Sequence, residues 1–246
     1  MTAVYVINLA RSTDRLERIT REFHATGLCF ERVEAVDSST MEDAAWTTRY
    51  DAGANRRNYL APLGSGEIAC MLSHRLAWEQ FLGNGNASDA VILEDDVTML
   101  ANAADVLGFA AETCAAPAPV LCKLNSLRRC RDVGRKSEAR PSMLPALTTA
   151  AQTLNRHAAQ ALLDFTESFH EPIDVALQRW WDHGVKMLQA SPPLFEEIRG
   201  PSYASTIRSR REPPHEGRLR RELRRPIFQA TRLGRALAAL ISGARP

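Results

Sequence analysis

The sequence predicts an α/β fold for residues 1–207, and three patterns indicate it. A short apolar run at residues 4–9 is followed by a helical pattern and by a second apolar run at residues 29–36, which together predict a βαβ unit. A third apolar run leads directly into three carboxylates at residues 94–96. Strand-like and helical segments then alternate to about residue 190, as expected for a sheet flanked by helices.

The composition is typical of a globular protein and excludes a disordered chain. Of the 246 residues, 45% are hydrophobic and 24% are charged, and no window is apolar enough to span a bilayer. The first residues lack the basic and apolar regions of a signal peptide, so we expect a cytoplasmic protein. The five cysteines include no Cys-x-x-Cys pair, so we expect reduced thiols and neither a disulfide framework nor a zinc cluster.

Positive charge is concentrated near the C-terminal end. Residues 208–246 contain eleven arginines and three glutamates, a local charge of +8, and because the whole chain carries +2, residues 1–207 carry −6. Apolar residues recur at helical spacing in this segment: Ile227, Phe228, Leu233, Leu237, Leu240 and Ile241. We therefore expect a tail that forms a basic amphipathic helix on an anionic membrane surface. A nucleic-acid arm and a helix docked on a partner protein are the alternatives.

The helix of the first βαβ unit has clear start and stop signals. Asp14 lies in the first turn of the predicted helix, where a negative charge favours the helix dipole, and Gly27 is a typical residue at a helix end. Apolar residues recur at helical spacing between them: Leu16, Ile19 and Phe23. Because crossovers of this kind are right-handed, the strands on either side should be parallel neighbours.

Three polar residues follow the ends of these two strands. Asn8, Arg11 and Asp37 lie near the carboxyl ends, which is where open α/β sheets bind their ligands. Each is a candidate for nucleotide binding, and each is equally well interpreted as a cap or a solvated loop residue.

A long connection and a strong helix come next. Residues 38–62 lack a clear period and predict a loop with short helical pieces, of a length that often carries function. Gly64-Ser65-Gly66 then opens a helix at residues 67–82 with an apolar stripe. His74 lies on the surface of this helix, where a packed boundary histidine is more common than a ligand.

The acidic motif at residues 94–96 carries the most chemical information. A strand buried on both faces cannot hold unpaired carboxylates in its interior, because burying a charge in a low-dielectric medium is very costly. Glu94, Asp95 and Asp96 must therefore lie at the strand's end, where carboxylates can hold a divalent cation and, through it, a diphosphate. From these residues alone, a helix N-terminus whose acids complement the helix dipole is an equally good interpretation.

Lys123 is an unusual residue in the next predicted strand. After a helix at residues 101–118, the apolar strand 120–124 includes this lysine, which is costly to bury unless its ammonium group reaches water, a carboxylate or a phosphate. Residues 128–145 include six basic side chains, and we expect this exposed connection to become ordered over an anionic ligand.

The last part of the domain is predicted to contain two strands and a helix. The first strand spans residues 147–154, and a helix capped by Asn155 follows at residues 156–168. The final strand spans residues 186–190. Pro172 breaks the chain before an amphipathic stretch at residues 175–181, and Asp174 is a natural N-cap at that position.

Four stretches carry a resemblance to a known family. They are Val6-Ile7-Asn8-Leu9 with Arg11 and Asp14-Arg15, then Ala35-Val36-Asp37, then Gly66-Glu67-Ile68-Ala69-Cys70 with Leu72-Ser73-His74, and finally Val91 to Val97. In these stretches the chain resembles glycosyltransferase family 25, the lipopolysaccharide and lipooligosaccharide biosynthesis transferases. Weaker similarity extends to Ser205-Thr206-Ile207 and stops at the basic tail. One departure is the segment 147–151, where a glycine is expected before the threonine.

The resemblance implies a fold, a donor and a set of site residues. It implies a GT-A type fold with a Rossmann-like mixed sheet, a uridine diphosphate hexose as donor, and transfer that inverts the anomeric centre. It implies Mn²⁺ or Mg²⁺ held by Asp96, with Glu94 or Asp95 contributing directly or through water. Asp174 is the first candidate for the catalytic base, ahead of His74. The implied nucleotide-binding residues are Asn8, Arg11, Asp37, Ser73, His74 and Lys123.

The sequence therefore predicts two regions and one main function. Residues 1–207 should form the glycosyltransferase domain, and residues 208–246 a tail that holds it at the inner face of the cytoplasmic membrane. The expected reaction transfers a hexose, with galactose as first choice, to a lipopolysaccharide or lipooligosaccharide core, and a nucleic-acid partner is not expected. The alternatives are a nucleotide-sugar hydrolase or phosphotransferase that uses the same carboxylates, and a binding protein on a transferase scaffold.

Overall fold

The computed structural model describes residues 1–41, 48–126, 136–198 and 215–243, with side chains from residue 225 onward in the last range. Several predicted features lie outside these residues. They are the first half of the basic connection, the Ser205-Thr206-Ile207 stretch, the boundary between the two predicted regions, and the first residues of the tail. Within the described residues the cysteines are free thiols, as expected.

The strands and helices alternate along most of the chain. The nine strands of the described residues are β1 (Thr2–Asn8), β2 (Glu31–Glu34), β3 (Asp89–Glu94), β4 (Val97–Met99), β5 (Val120–Lys123), β6 (Glu138–Pro141), β7 (Ala151–Asn155), β8 (Lys186–Ser191) and β9 (Phe195–Glu197). The helices there are α1 (Thr13–Thr26), α2 (Ala52–Asn58), α3 (Ser65–Gly83), α4 (Ala103–Cys114), α5 (Arg156–Phe165), α6 (Ile173–Ala176), α7 (Trp180–His183) and α8 (His215–Ile241).

Seven of the strands form one mixed sheet in the order β2-β1-β3-β7-β5-β8-β6. The neighbours β2, β1 and β3 are parallel, as are β5 and β8, whereas β7 runs antiparallel to both β3 and β5. A small second sheet pairs β4 with β9. The predicted α/β fold, a mixed sheet flanked by helices, is confirmed.

Helices cover both faces of the sheet, because alternate side chains of the buried strands point to opposite faces. In β1, Tyr5 and Ile7 pack under α3 and α5, while Val4 and Val6 pack under α1 and α4. Every residue of β1 from Ala3 onward is buried. The apolar runs that predicted the strands are therefore continuous because both faces of the sheet are covered.

Local signals set several helix ends. Gly27 adopts a left-handed conformation with φ of 75°, which a residue with a Cβ atom rarely adopts, and ends α1 as predicted. At the start of α3, the carboxylate of Glu67 accepts a hydrogen bond from the Gly64 N–H at 2.9 Å. Asn155 caps α5 by accepting a hydrogen bond from the Ala158 N–H at 3.0 Å, also as predicted.

The acidic motif ends a strand, so the helix-cap interpretation of residues 94–96 is wrong. Glu94 is the last residue of β3, a turn follows, and the short strand β4 begins at Val97. Arg18 on α1 holds this turn by donating to the carbonyl oxygens of Asp95 and Val97 at 2.8 and 2.9 Å. The backbone after β3 is thereby fixed against the first helix.

Other boundaries differ from the prediction because of long-range pairing. The strand expected at 147–154 begins only at Ala151, where pairing with β3 and β5 starts, and Leu147 is exposed. The basic connection contains the edge strand β6, paired with β8, and the predicted final strand is followed by β9. These short strands lack a pattern of their own and form because a partner strand is present.

The segment after Pro172 is also less regular than predicted. Two four-residue helices, α6 and α7, replace the continuous stretch expected at 175–181. Pro172, and not Asp174, occupies the N-cap position of α6. The prediction of Asp174 as N-cap is therefore wrong, since this residue lies inside the first turn.

The C-terminal helix α8 packs one face on the rest of the protein. Ala236 is fully buried, the ring of Phe228 meets Tyr59 edge to face at 5.6 Å, and Arg232 donates to the carbonyl oxygen of Val175 at 2.8 Å. Elsewhere on its surface the helix exposes apolar side chains: Ile227, Leu233, Leu237, Leu240 and Ile241. Within the described parts of the chain, no helix has the length and apolar character needed to cross a membrane.

Candidate active site

The candidate site lies at the edge of the sheet where the strands β1, β2 and β3 end. Because these strands are parallel, their carboxyl ends meet at one edge, and the register pairs Ile7 with Glu94 and Asn8 with Glu34. The antiparallel strand β7 begins at this same edge. A groove of about 130 Å³ opens there, and we call it the acidic groove. The lining residues used below are Arg11, Arg15, Cys70, Ser73, His74 and the carboxylates 94–96.

Asp95 is held by protein side chains. Asn8 is buried and donates from Nδ2 to one carboxylate oxygen at 2.7 Å, while Arg15 Nη1 approaches the other at 3.3 Å. Burial raises the pKa of Asp95, and the contacts with Asn8 and Arg15 oppose this rise. Both oxygens thus already have donors, so Asp95 serves to fix the turn more than to offer a ligand.

Asp96 is different, because its Oδ1 atom is buried and has no hydrogen-bond partner within the described residues. Burial and the nearby charges of Glu94, Asp95 and Glu197 raise its pKa to about 7. A buried carboxylate oxygen without a donor, surrounded by other carboxylates, is unfavourable unless a cation is present. Asp96 is therefore the acid whose buried oxygen most needs a cation, and Glu94 can add its second carboxylate oxygen as a further ligand.

A hydrogen-bond network of side chains orients Glu94. Its Oε1 atom accepts from Thr149 Oγ1 at 2.6 Å and lies 3.2 Å from His74 Nε2. His74 Nδ1 lies 3.2 Å from the amide nitrogen of Gln152, so the tautomer with its proton on Nε2 satisfies both contacts. Although burial alone would raise it, the hydrogen bonds from His74 and Thr149 lower the pKa of Glu94. The carboxylate is therefore kept ionised at the groove.

Cys70 is a further member of this cluster. The ligand atoms of Cys70, His74 and Glu94 all lie within 4.8 Å of one another. Burial raises the pKa of the Cys70 thiol well above its usual range, so the thiolate form, which binds metals, is disfavoured. The oxygen ligands of Glu94 and Asp96 suit Mn²⁺ or Mg²⁺ better than this thiol does.

Lys123 and Asp174 do not line the acidic groove, but the charges of Asp174 and Glu94 both act on Lys123. Lys123 is fully buried and donates from Nζ to the carbonyl oxygen of Thr148 at 2.6 Å. Burial lowers its pKa to about 8, and the charges of Asp174 and Glu94 oppose this. Burial likewise raises the pKa of Asp174, and Lys123 opposes that rise. The hydrogen bond to Thr148 and the charges of the two carboxylates thus offset part of the cost of burying the lysine.

Of the remaining candidates, Arg11 and Ser73 line the groove, whereas Asp37 contacts the lining through Arg11. Arg11 forms an ion pair with Asp37, whose Oδ1 atom also accepts from the Ser39 N–H at 2.8 Å. Ser73 accepts from the Val36 N–H at 2.9 Å and donates to the carbonyl oxygen of Ala69 at 2.7 Å. Ser73 therefore ties α3 to the segment after β2, in addition to lining the groove.

Four residues of the site were not identified from the sequence: Cys70, Thr149, Gln152 and Glu197. Cys70 and His74 are four residues apart on α3, a spacing that places both on one helix face and that could have indicated a cluster. Gln152 lies on β7, Thr149 in the segment just before it, and Glu197 on β9. The pairing of these strands with distant strands leaves no local pattern in the sequence. Glu197 accepts from Asn125 Nδ2 at 2.8 Å and contributes charge near Asp96.

Comparison with known proteins gives this geometry a family context. Residues 1–130 match the model of glycosyltransferase family 25, described as an LPS biosynthesis protein. This chain belongs to glycosyltransferase family 25. The matched residues include the carboxylate motif and Lys123, whereas Asp174 lies beyond them.

The relatives that are similar to this chain are longer proteins. A putative glycosyltransferase of Haemophilus influenzae is 34% identical over 103 residues, which are 42% of this chain and 35% of that protein. Procollagen galactosyltransferase 2 of Mus musculus is 31% identical over 97 residues, 38% of this chain and 15% of that protein. This chain thus spans about a third or less of the length of these relatives.

One solved structure similar to this chain is the crystal structure of a glycosyltransferase involved in the glycosylation of the major capsid of PBCV-1. The TM-score is 0.42 at 10% sequence identity, over 85% of this chain and 97% of that chain.

The substitution Asp96→Asn tests whether this residue is a metal ligand. Because the pKa of Asp96 is raised, its ionised form destabilises the metal-free fold, and this cost is complete above about pH 7 and absent below about pH 4. The variant should therefore unfold with a free energy higher by on the order of 1 kcal/mol at pH 8 in chelator, allowing for solvent screening. The gain should disappear near pH 4, as measured by urea denaturation.

The same variant should lose the response to metal. For the wild type, Mn²⁺ at about 100 times its Kd should add about 2.7 kcal/mol to the free energy of unfolding. Asp164→Asn is the control, because Asp164 is exposed and does not line the groove. This variant should retain the stabilisation by Mn²⁺. Unchanged stabilisation of Asp96→Asn by Mn²⁺ would remove Asp96 from the metal site.

Proposed function

We propose that this protein is an inverting, metal-dependent glycosyltransferase that transfers a hexose from a uridine diphosphate sugar to a hydroxyl group of a lipopolysaccharide or lipooligosaccharide core. The observation that carries the proposal is the unpartnered Asp96 oxygen among carboxylates at the carboxyl ends of parallel strands. Galactose is our first choice of sugar, because a similar protein is named a procollagen galactosyltransferase. The description of the family supports the acceptor class.

The donor half of the reaction would use the acidic groove. Asp96 and one oxygen of Glu94 would hold Mn²⁺ or Mg²⁺, with Asp95 in support through Asn8 and Arg15. When bound, the cation would neutralise the diphosphate as negative charge develops on the leaving group. His74 and Thr149 orient Glu94 for this role. Arg11, Asp37 and Ser73 would contact the nucleotide at the mouth of the groove.

The acceptor half of the reaction needs a base. Inversion by a single displacement requires that a group on the face opposite the diphosphate accept the proton of the acceptor hydroxyl. We assign this role to Asp174, because burial raises the pKa of this carboxyl, which makes the carboxylate a stronger base, while the charge of Lys123 opposes the rise. Lys123 would act on Asp174 and Glu94 electrostatically, since its ammonium group is fully buried.

The function is tested by following nucleoside diphosphate release from several UDP-hexoses with Mn²⁺, with and without a core oligosaccharide. Release that depends on the acceptor, and a glycosylated product of the expected mass, are the outcomes of transfer. Release without acceptor would indicate the hydrolase alternative. Donor binding without any turnover would indicate a binding protein on a transferase scaffold.

The substitution Asp174→Asn separates binding from proton abstraction. Because the amide cannot accept the proton, transfer should slow by about 10²-fold to 10⁴-fold, the usual contribution of a general base. The Kd for donor and Mn²⁺, measured by titration calorimetry, should stay within about twofold. Asp182→Asn, on the exposed side of α7, is the matched control and should retain activity. Loss of donor binding in Asp174→Asn would indicate a structural role instead.

We also propose that the protein is cytoplasmic and lies at the inner face of the membrane through α8. The exposed face of this helix carries Leu233, Leu237 and Ile241, and the tail that includes it has a charge of +8. Such a combination is typical of helices that lie in an anionic bilayer interface.

The membrane proposal is tested by replacing two outward-facing residues. Leu237→Glu with Ile241→Glu should lower the partition coefficient onto anionic liposomes by about tenfold or more, because apolar burial is lost and negative charge is added. Cosedimentation measures the partition. Leu144→Glu is the control, since Leu144 is exposed to a similar degree outside the tail. Equal partition of the wild type and the double variant would refute the proposal.

A further inference from the structure

A second cavity lies between α8 and the rest of the protein, away from the acidic groove. Its volume is about 320 Å³, larger than that of the groove and within the range of small-molecule sites. The residues used in the argument below are Tyr59, Glu171, Arg179, Trp181, Arg232 and Arg235. We call this the arginine cavity. It shares no lining residue with the acidic groove.

Two residues of the arginine cavity carry donors that no described residue satisfies. The indole Nε1 of Trp181 and the Nε of Arg232 are both buried and have no hydrogen-bond partner. The guanidinium of Arg232 makes one bond, from Nη2 to the carbonyl oxygen of Val175 at 2.8 Å. Buried donors in native proteins are normally paired, and these two belong to residues that line the same cavity, so an acceptor bound there is a candidate partner for both.

The charges around the cavity indicate that the missing acceptor is an anion. Glu171 is the only carboxylate in the described lining, and Arg179 engages it at 2.9 Å. The same lining contains Arg57, Arg232 and Arg235, so positive charge is in excess there. Burial lowers the pKa of Arg232, and the opposing effect of Glu171 is too small to restore it. A buried guanidinium with incomplete compensation would be stabilised by an oxyanion.

The shape of the donors favours phosphate in particular. Guanidinium groups present several N–H donors in a plane and match the oxygens of phosphate, and an indole N–H can add one more bond. Tyr59 also lines the cavity, and an aromatic side chain can pack against the apolar face of a sugar attached to the phosphate. We propose that the arginine cavity binds a phosphate group, carried by a soluble sugar phosphate or by a lipid head group. The proposal stands on the cavity alone and does not depend on glycosyl transfer.

Trp181→Phe is the sharpest test, because it removes one N–H and retains an aromatic ring. Binding of inorganic phosphate and of glucose 1-phosphate to the full chain is measured by titration calorimetry. The Kd should rise by about tenfold, the value of one charge-assisted hydrogen bond. Trp78→Phe is the matched control, because the Trp78 Nε1 is also buried and unpartnered but lies outside the cavity, so its Kd should be unchanged.

Arg232→Gln provides a second variant, with Arg225→Gln on the same helix as its control. Arg225 is exposed and does not line the cavity. Arg232→Gln should weaken phosphate binding by at least about tenfold, and Arg232→Lys should recover part of the loss because it restores the charge. Thermal unfolding of each variant checks that it is folded, and if Arg232→Gln does not fold, Trp181→Phe decides the question.

The source of the phosphate is identified with vesicles of phosphatidylcholine with and without phosphatidic acid. If Trp181→Phe weakens binding of the soluble phosphates and the protein does not bind the vesicles, the ligand is a soluble phosphate. A Trp181→Phe effect only on vesicles that contain phosphatidic acid supports a lipid head group. The proposal is overturned if the wild type binds none of these probes, or if Trp78→Phe and Trp181→Phe weaken binding equally.

Discussion

The site depends on how the protein accommodates three consecutive carboxylates at the end of a buried strand. Each ionised carboxylate placed there repels its neighbours and loses hydration, and both effects are strong where the dielectric constant is low. The protein compensates the charge of each carboxylate in a different way. Asn8 and Arg15 satisfy Asp95, and His74 with Thr149 satisfies Glu94. Asp96 Oδ1 has no partner among the described residues, and burial together with the neighbouring carboxylates raises the pKa of Asp96.

This arrangement explains why residues far apart in the chain converge. Helix α1 contributes Arg15 and Arg18, helix α3 contributes His74, and the segment before β7 contributes Thr149. Together these side chains offset the negative charge of the carboxylates 94–96 and fix the conformation of the turn that carries them. The order of the first strands and helices is therefore constrained by electrostatics as well as by apolar packing.

The sequence predicted those parts of the fold whose signals are local. The helix α1, its end at Gly27, the cap at Asn155 and the strand end at Glu94 each depend on neighbouring residues, and all are observed. The predicted site residues of the first strands also meet at one sheet edge, because parallel neighbours bring their carboxyl ends together.

What the sequence did not predict depends on partners distant in the chain. β6 and β9 are short and exist through pairing with β8 and β4. Thr149 and Gln152 reach the site only because β7 inserts between β3 and β5, a choice that periodicity cannot reveal. The packing of α8 likewise depends on tertiary contacts, since an amphipathic pattern shows that a helix has an apolar face but not what covers it.

The reversed direction of β7 has a consequence for how this protein could diversify. β7 separates the sheet into a half built from β2, β1 and β3 and a half built from β5, β8 and β6. The match to the family covers residues 1–130, which include the first half and only β5 of the second. The residues that line the acidic groove all lie between positions 7 and 96, so substitutions on β5, β8 and β6 would leave that lining unchanged. The later half of the sheet can therefore change in sequence with less effect on the groove than the first half.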